Sequence, residues 1–146
     1  MKALLQRVRE ARVEVDGTVV GCVEKGLLVL VCSEASDSRE TGQRLLAKLL
    51  KLRVFSDAAG KMNQSLLEVN GGLLLVSQFT LAADVRGGNR PSFSGAAPPA
   101  HARVLWEQLE QDARRLHPAV AFGQFGADMQ VHLVNDGPVT IPMSMD

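Results

Sequence analysis

What the chain has little of sets the first limits. It carries two cysteines in 146 residues, Cys22 and Cys32, with no CxxC pair. Each sits in an apolar run, which predicts two buried thiols in a reducing compartment and neither a disulfide nor a redox centre. No segment approaches the roughly 20 apolar residues that span a bilayer. The opening Met1-Lys2-Ala3-Leu4-Leu5 reaches Gln6 and Arg7 before it builds the apolar stretch of a secretory signal. A soluble, cytoplasmic protein with no membrane partner is the expectation. Formal net charge is zero, 16 basic residues against 16 acidic, so any nucleic-acid surface must be a local patch. The three histidines, His101, His117 and His132, are far apart and show no metal-ligand spacing. There is no GxSxG elbow, no P-loop and no GxGxxG. A metal, a nucleotide cofactor and a Ser–His–Asp site are therefore not expected.

What is present is ordinary in bulk: 46% hydrophobic and 22% charged residues over a length that suits one domain, residues 1–146. Arg12 to Cys22 reads as a hairpin, with Asp16-Gly17 supplying the turn. Leu27 to Cys32 is a continuous apolar run, which fits a strand buried on both faces. Asp37 is placed to cap a helix, with Glu40 closing a capping box. Leu45, Leu46, Leu49 and Leu50 then recur at helical spacing, with Arg44, Lys48 and Lys51 on the outer face. Arg53-Val54-Phe55 reads as a short strand, and Asn70-Gly71-Gly72 as a turn that feeds a strand from Leu73 to Leu81. A long Gly- and Pro-rich loop covers Arg86 to Pro99. Loops of that length are usually functional or disordered. Pro98-Pro99 introduce a second long helix to about His117, with His101 and His117 solvated at its ends. Val120 to Phe125 and Met129 to Val134 read as strands, with His132 on a polar face beside Gln130. The fold class is α/β: a three-layer domain of mixed, largely antiparallel sheet with two long helices packed on one side.

Two segments stand out from this scaffold. In Ser77-Gln78-Phe79-Thr80-Leu81 an apolar strand suddenly carries three polar side chains. By period two, Gln78 and Thr80 share one face, Ser77 and Phe79 the other. Two readings stand on pattern alone: a site at a strand end, or a strand emerging into solvent. In Asn135-Asp136-Gly137-Pro138-Val139-Thr140, Gly137-Pro138 offers the one common context for a cis peptide, and a glycine carbonyl that a ligand can approach closely. Here too a plain turn between two strands is the competing reading.

Together these segments resemble the D-aminoacyl-tRNA deacylase family, also called D-tyrosyl-tRNA deacylase. Ser77 to Leu81 matches its SQFTL motif, and Asn135 to Thr140 its NxGPVT motif. Asn89-Arg90-Pro91-Ser92-Phe93, Phe125-Gly126-Ala127-Asp128-Met129 and the opening Leu5-Gln6-Arg7-Val8 also fit, in family order along essentially the whole chain. The resemblance implies a cofactor-free hydrolase of aminoacyl-tRNA that acts as a homodimer and has no DNA partner. Ser77, Gln78, Phe79 and Thr80 would form the catalytic segment. Gly137 and Pro138, joined by a cis bond, would reach across into the partner's site. Arg7 would hold that loop, with Asn135, Val139 and Thr140 in support.

From that resemblance the chemistry can be argued. A backbone carbonyl of Gly137 set against one side of the substrate Cα collides with an L side chain and tolerates a D one. Glycine escapes such a wall, so glycyl-tRNA, including glycine mischarged on tRNA-Ala, is an expected second substrate. Ester hydrolysis develops a tetrahedral oxyanion, for which the N–H groups around Phe79 and Thr80 are candidates. Thr80 as nucleophile lacks a nearby base in the sequence. A water positioned by the ribose 2′-OH is the favoured alternative. Lys48, Lys51, Arg53, Arg86 and Arg90 offer a basic lip for the tRNA end, unless they are merely scattered charge. Without tyrosine, and with five Phe and one Trp, the terminal adenine is expected to rest on main chain and aliphatic groups more than between rings. Competing readings are a hydrolase of free D-amino acid esters, a non-enzymatic RNA-binding module, and a structural subunit whose Gly-Pro loop is dimer glue.

Overall fold

The alternation near the N-terminus belongs to one long strand. In the computed structural model, which describes residues 1–146, β1 (Lys2–Val15) turns through Asp16 and Gly17 into β2 (Thr18–Val23). Both turn residues have positive φ, +48° and +76°, as a two-residue hairpin demands. The apolar run forms β3 (Gly26–Cys32), antiparallel to the first half of β1. Helix α1 (Arg39–Lys51) follows. Its cap is Ser38, whose N–H donates to Thr41 Oγ1 at 3.2 Å; the expected pair of Asp37 and Glu40 does not form. Asp37 is buried and has a stronger partner, since its carboxylate accepts from the Met1 ammonium at 2.7 Å.

A small hairpin, β4 (Phe55–Ser56) and β5 (Met62–Gln64), and a single helical turn, α2 (Leu66–Val69), carry the chain to β6 (Gly72–Ser77). Strand β6 runs parallel to β3. A 3-10 turn at Phe79–Ala82, the long loop and helix α3 (Pro99–Leu116) then lead to β7 (Val120–Phe122), parallel to β6. The last strand, β8 (Gln130–Ser144), pairs antiparallel with β1 along nearly its whole length.

Two consecutive parallel crossovers, β3 to β6 and β6 to β7, advance in one direction across the sheet. Right-handed connections then place both helices on the same face. There Leu45, Leu46, Leu49, Trp106 and Leu109 pack on Leu5, Leu27, Val29, Leu73 and Leu75. The alternate residues of the same strands, Leu28, Leu74 and Val76, face the other way. They are covered by Val8, Ala11 and Val13, with Val131 and Leu133 packed against them. Thus β3 and β6 are buried on both sides, and the far halves of β1 and β8, with β2, make the third layer. Gly21 permits this overlay, because a Cβ there would lie 2.3 Å from the Phe122 carbonyl oxygen. Truncating Leu74 to alanine in such a core costs about 2–5 kcal/mol.

Helices α1 and α3 are also tied by charge. Buried Asp112 accepts from Arg39 at 2.7 and 3.0 Å, from Gln43 at 3.1 Å and from Arg115 at 2.8 Å. The Arg39 hydrogen bond is the main reason its carboxyl is held down to about 2. Two solvent assignments fail here. His117 is buried and its Nε2 lies 2.7 Å from the Gly71 carbonyl oxygen, because the end of α3 docks on the turn before β6. Cys22, expected inside, is exposed on β2, while Cys32 is buried as expected.

Candidate active site

The strand expected to run to Leu81 ends earlier, at Ser77. The ladder to β3 closes when the Gln78 N–H donates to the Val31 carbonyl at 2.8 Å, and β3 itself stops at Cys32. With no further partner, the chain winds into the Phe79–Ala82 turn. Gln78 and Thr80 are therefore not neighbours on a strand face. They meet through a side-chain bond, Gln78 Nε2 donating to Thr80 Oγ1. The first N–H groups of the turn, those of Phe79 and Thr80, have no acceptor within it. Paired main-chain donors of this kind suit a developing oxyanion. Thr80 is exposed, and its hydroxyl has no histidine or lysine hydrogen-bond partner.

Beside this turn lies a cavity of about 650 Å³. Ser77, Gln78 and Phe79 form one wall, Phe93 and Pro98 of the long loop another, α3 contributes Ala102 and Trp106, and Phe125 to Met129 close the far side. Four of the six aromatic residues in the chain line it. The scarce aromatics are concentrated at one place. The rings of Phe79 and Phe93 meet edge to face at 5.1 Å. The loop that brings Phe93 is pinned at both ends. Asp84 and Ser92 exchange backbone hydrogen bonds of 2.7 and 2.9 Å, and the Ala97 N–H donates to the Ser33 carbonyl at 2.8 Å. Burial raises the Cys32 thiol pKa, and its Sγ lies 3.5 Å from the Phe79 carbonyl oxygen. It is a packed, protonated wall group.

The Gly-Pro segment sits elsewhere. It is no turn between two strands, because β8 pairs with β1 on both sides of it. The register runs regularly to Gln6 opposite Thr140 and resumes at Val8 opposite Asn135. Asp136 to Val139 therefore bulge outward opposite Arg7 alone. Gly137–Pro138 is cis, with Gly137 at φ +137°. A Cβ on Gly137 would meet Val139 Cγ2 at 2.9 Å and the Arg7 guanidinium at 3.1 Å.

The polar groups around this bulge point inward. Arg7 Nε donates to the Asp136 carbonyl at 2.9 Å and Arg7 Nη1 to the Val54 carbonyl at 2.7 Å. Asn135 Oδ1 accepts the Val139 N–H at 3.0 Å, and Asn135 Nδ2 donates to Thr140 Oγ1 at 2.7 Å. Gly137 and Pro138 are left exposed. Neither lines the cavity. Leu81 lies with Leu4 and Pro142, three residues along β1 from Arg7, or roughly 10 Å.

The basic residues divide likewise. Lys51 and Arg53 flank the backbone that Arg7 ties to Asp136, whereas Arg86 and Arg90 belong to the loop near the cavity. Arg86 is committed to Asp84 at 2.6 and 2.9 Å, which lowers the Asp84 carboxyl to about 2. Trp106 and Ala102 are site residues that periodicity had marked only as helix positions. Phe93 and Phe125 were signalled only by the resemblance, as the end of the Asn89–Phe93 segment and the start of Phe125–Met129.

Comparison with known proteins is consistent along the whole chain. A sequence profile of the family described as D-Tyr-tRNA(Tyr) deacylase matches residues 4–144. A D-aminoacyl-tRNA deacylase of Aromatoleum aromaticum is 65% identical over 98% of this chain and 94% of its own. One from Methylibium petroleiphilum is 66% identical with the same coverage. Among solved structures, one described as c-Myc DNA Unwinding Element Binding Protein superposes with a TM-score of 0.91 at 38% identity, covering 99% of this chain and 98% of that one. A probable eukaryotic D-amino acid tRNA deacylase superposes with a TM-score of 0.83 at 17% identity, over 97% of each chain, and shares the fold.

Proposed function

The chain belongs to the D-Tyr-tRNA(Tyr) deacylase family, and on that premise we propose how its residues cleave the ester between tRNA and a D-amino acid. The observation that carries the reading is the cavity of about 650 Å³ that ends at two main-chain donors. Its size and ring-rich lining suit a nucleoside, here the terminal adenosine of the tRNA. With the base so placed, the ester carbonyl comes to the N–H groups of Phe79 and Thr80, which stabilise the oxyanion. Thr80 is no activated nucleophile, since its Oγ1 receives a hydrogen bond from Gln78 and no base draws its proton. A water oriented by the adjacent ribose 2′-OH attacks instead, and the alcohol oxygen of the tRNA leaves with a proton.

Gly137 and Pro138 act in a homodimer, each protomer presenting them to its partner's cavity. Their exposure supports this, and neither lines the cavity of their own chain. The Gly137 carbonyl then bars an L side chain, passes a D one, and cannot bar glycine, so glycyl-tRNA is also cleaved. The whole chain, 1–146, serves as one such unit in the cytoplasm.

The rival hydrolase reading predicts turnover of free D-amino acid esters. Comparing kcat/KM for D-aminoacyl-tRNA with that for the corresponding D-amino acid methyl ester decides between them. The proposed reading expects a ratio of at least about 10³, because the nucleoside supplies binding energy and the 2′-OH. A ratio near one would transfer the site to free esters. DNA binding has one support, the description of the 38%-identical protein. Retention of D-aminoacyl-tRNA turnover under excess duplex DNA tells against a shared site.

A further inference from the structure

We propose that the basic surface gripping the tRNA end is assembled in trans: Lys51 and Arg53 of one protomer hold phosphates of the tRNA whose adenosine occupies the other protomer's cavity. This rests on the dimeric deacylase reading above and adds to it the source of the cations. Arg7 couples the two elements, the cation-bearing segment and the Gly137–Pro138 bulge. Its guanidinium donates to the Val54 carbonyl at 2.7 Å and to the Asp136 carbonyl at 2.9 Å. One rigid planar group thereby locks the 53–55 backbone to the base of the Gly137–Pro138 bulge. Wherever that bulge goes, Arg53 goes with it. Lys51 is two residues earlier, in the last turn of α1, and the tight Val54 N–H to Leu52 carbonyl bond of 3.2 Å keeps the link short.

The charge balance of this corner is positive and uncommitted. Both Lys51 and Arg53 are exposed, and neither has a carboxylate within salt-bridge distance. The carboxylate of Asp136 already lies between Arg7 at 3.9 Å and Arg9 at 3.7 Å. By contrast, Arg86 beside the cavity of its own chain is neutralised by Asp84, which leaves Arg90 as the cation free on that loop. The rim's other cation, Arg103, is stacked on the Phe125 ring at 4.8 Å, so a bulge that brings two exposed cations with no aromatic or carboxylate partner adds phosphate contacts from the partner. Phosphodiester is the fitting ligand because two cations spaced along a chain match successive phosphates.

The test uses two tagged chains. One carries Lys51→Gln and Arg53→Gln. The other carries Ala102→Trp, which fills the cavity from α3; Ala127→Trp fills it from the opposite wall should the first variant not fold. The charge-depleted homodimer should show KM for D-aminoacyl-tRNA raised about tenfold at low salt with kcat nearly unchanged. The slope of log(1/KM) against log salt should shrink by about 1.4, as two lost phosphate contacts require. The decisive species is the purified heterodimer. Its single open cavity lies on the charge-depleted chain and faces the native cations of the other, so KM should return to the parent value, with half the parent kcat per dimer. A heterodimer that keeps the raised KM places the cations in cis and overturns the inference. A charge-depleted homodimer with parental KM and slope overturns it too. A protein that deacylates as a monomer removes the trans route while leaving the deacylase reading intact. A parent dimer inert towards D-aminoacyl-tRNA removes both.

Discussion

At the end of β6 the chain turns in on itself, whereas in the middle of β8 it turns outward. Gln78 bonds Thr80, Phe79 packs on Phe93, and Ser77 to Phe79 face a cavity. Around Gly137 the same kinds of group are spent on holding backbone: Arg7, Asn135 and Thr140 all bond within the bulge, and Gly137 and Pro138 are left bare. On the proposed reading, the first region receives the substrate and the second is presented to a partner. The contrast teaches that polar groups can be spent on holding a main-chain surface firm while leaving it uncovered, the rigidity that the proposed stereochemical exclusion would need.

The comparison breaks most sharply at Gly137. The substitution Gly137→Ala places a methyl within 3.1 Å of Arg7 and Val139 at a φ of +137°, which L side chains rarely adopt. The bulge must shift, and D-aminoacyl-tRNA turnover should fall on the order of 100-fold, with stability lowered by about 1–3 kcal/mol of backbone strain. Next comes the clamp. Arg7→Lys keeps a charge but loses the planar fork whose Nε and Nη1 reach the two carbonyls separately, so activity should fall about tenfold. A rise in turnover of the L ester would accompany it in a side-by-side assay. A smaller effect is expected on the receiving side, where Thr80→Ala should cost less than about tenfold in kcat, the worth of one hydrogen bond. Complete loss would instead make Thr80 the nucleophile.

The smallest effect on activity belongs to a region outside the comparison. Asp112→Asn should leave turnover within about twofold while lowering stability by about 2 kcal/mol, since a buried charge-assisted network is lost. The pH dependence has a definite sign. The Asp112 carboxyl is held at about 2 in the folded chain, below the ordinary value of about 3.9. Its contribution is therefore complete above pH about 4 and lost as pH falls towards 2. The gap in melting temperature between parent and variant should close over that window.

Much of this was legible in the sequence. The Asp16-Gly17 hairpin, the doubly buried β3, both long helices and the outward His132 follow from period, turn chemistry and run length. Of the two motif segments, the first was marked by polar residues where apolar ones were due and the second by its Gly-Pro pair. Their shapes were not legible. Whether Gln78 to Leu81 stays extended depends on where β3 ends, and whether Asn135 to Thr140 reverses the chain depends on β1 reaching past it. Such facts belong to partner strands, not to the local sequence. Asp37 lost its cap role to a distant ammonium and His117 its solvent to the Gly71 carbonyl, for the same reason. The cavity draws on five separate stretches of chain, which no window along the sequence brings together.

The most direct test of chiral exclusion is hydrolysis of one tRNA charged in turn with a D-amino acid, its L enantiomer and glycine, by the purified parent protein. The account predicts rapid loss of the D and glycyl esters with the L ester intact. Equal loss of D and L would contradict it, and would mean that Gly137 and Pro138 do not select at the substrate Cα.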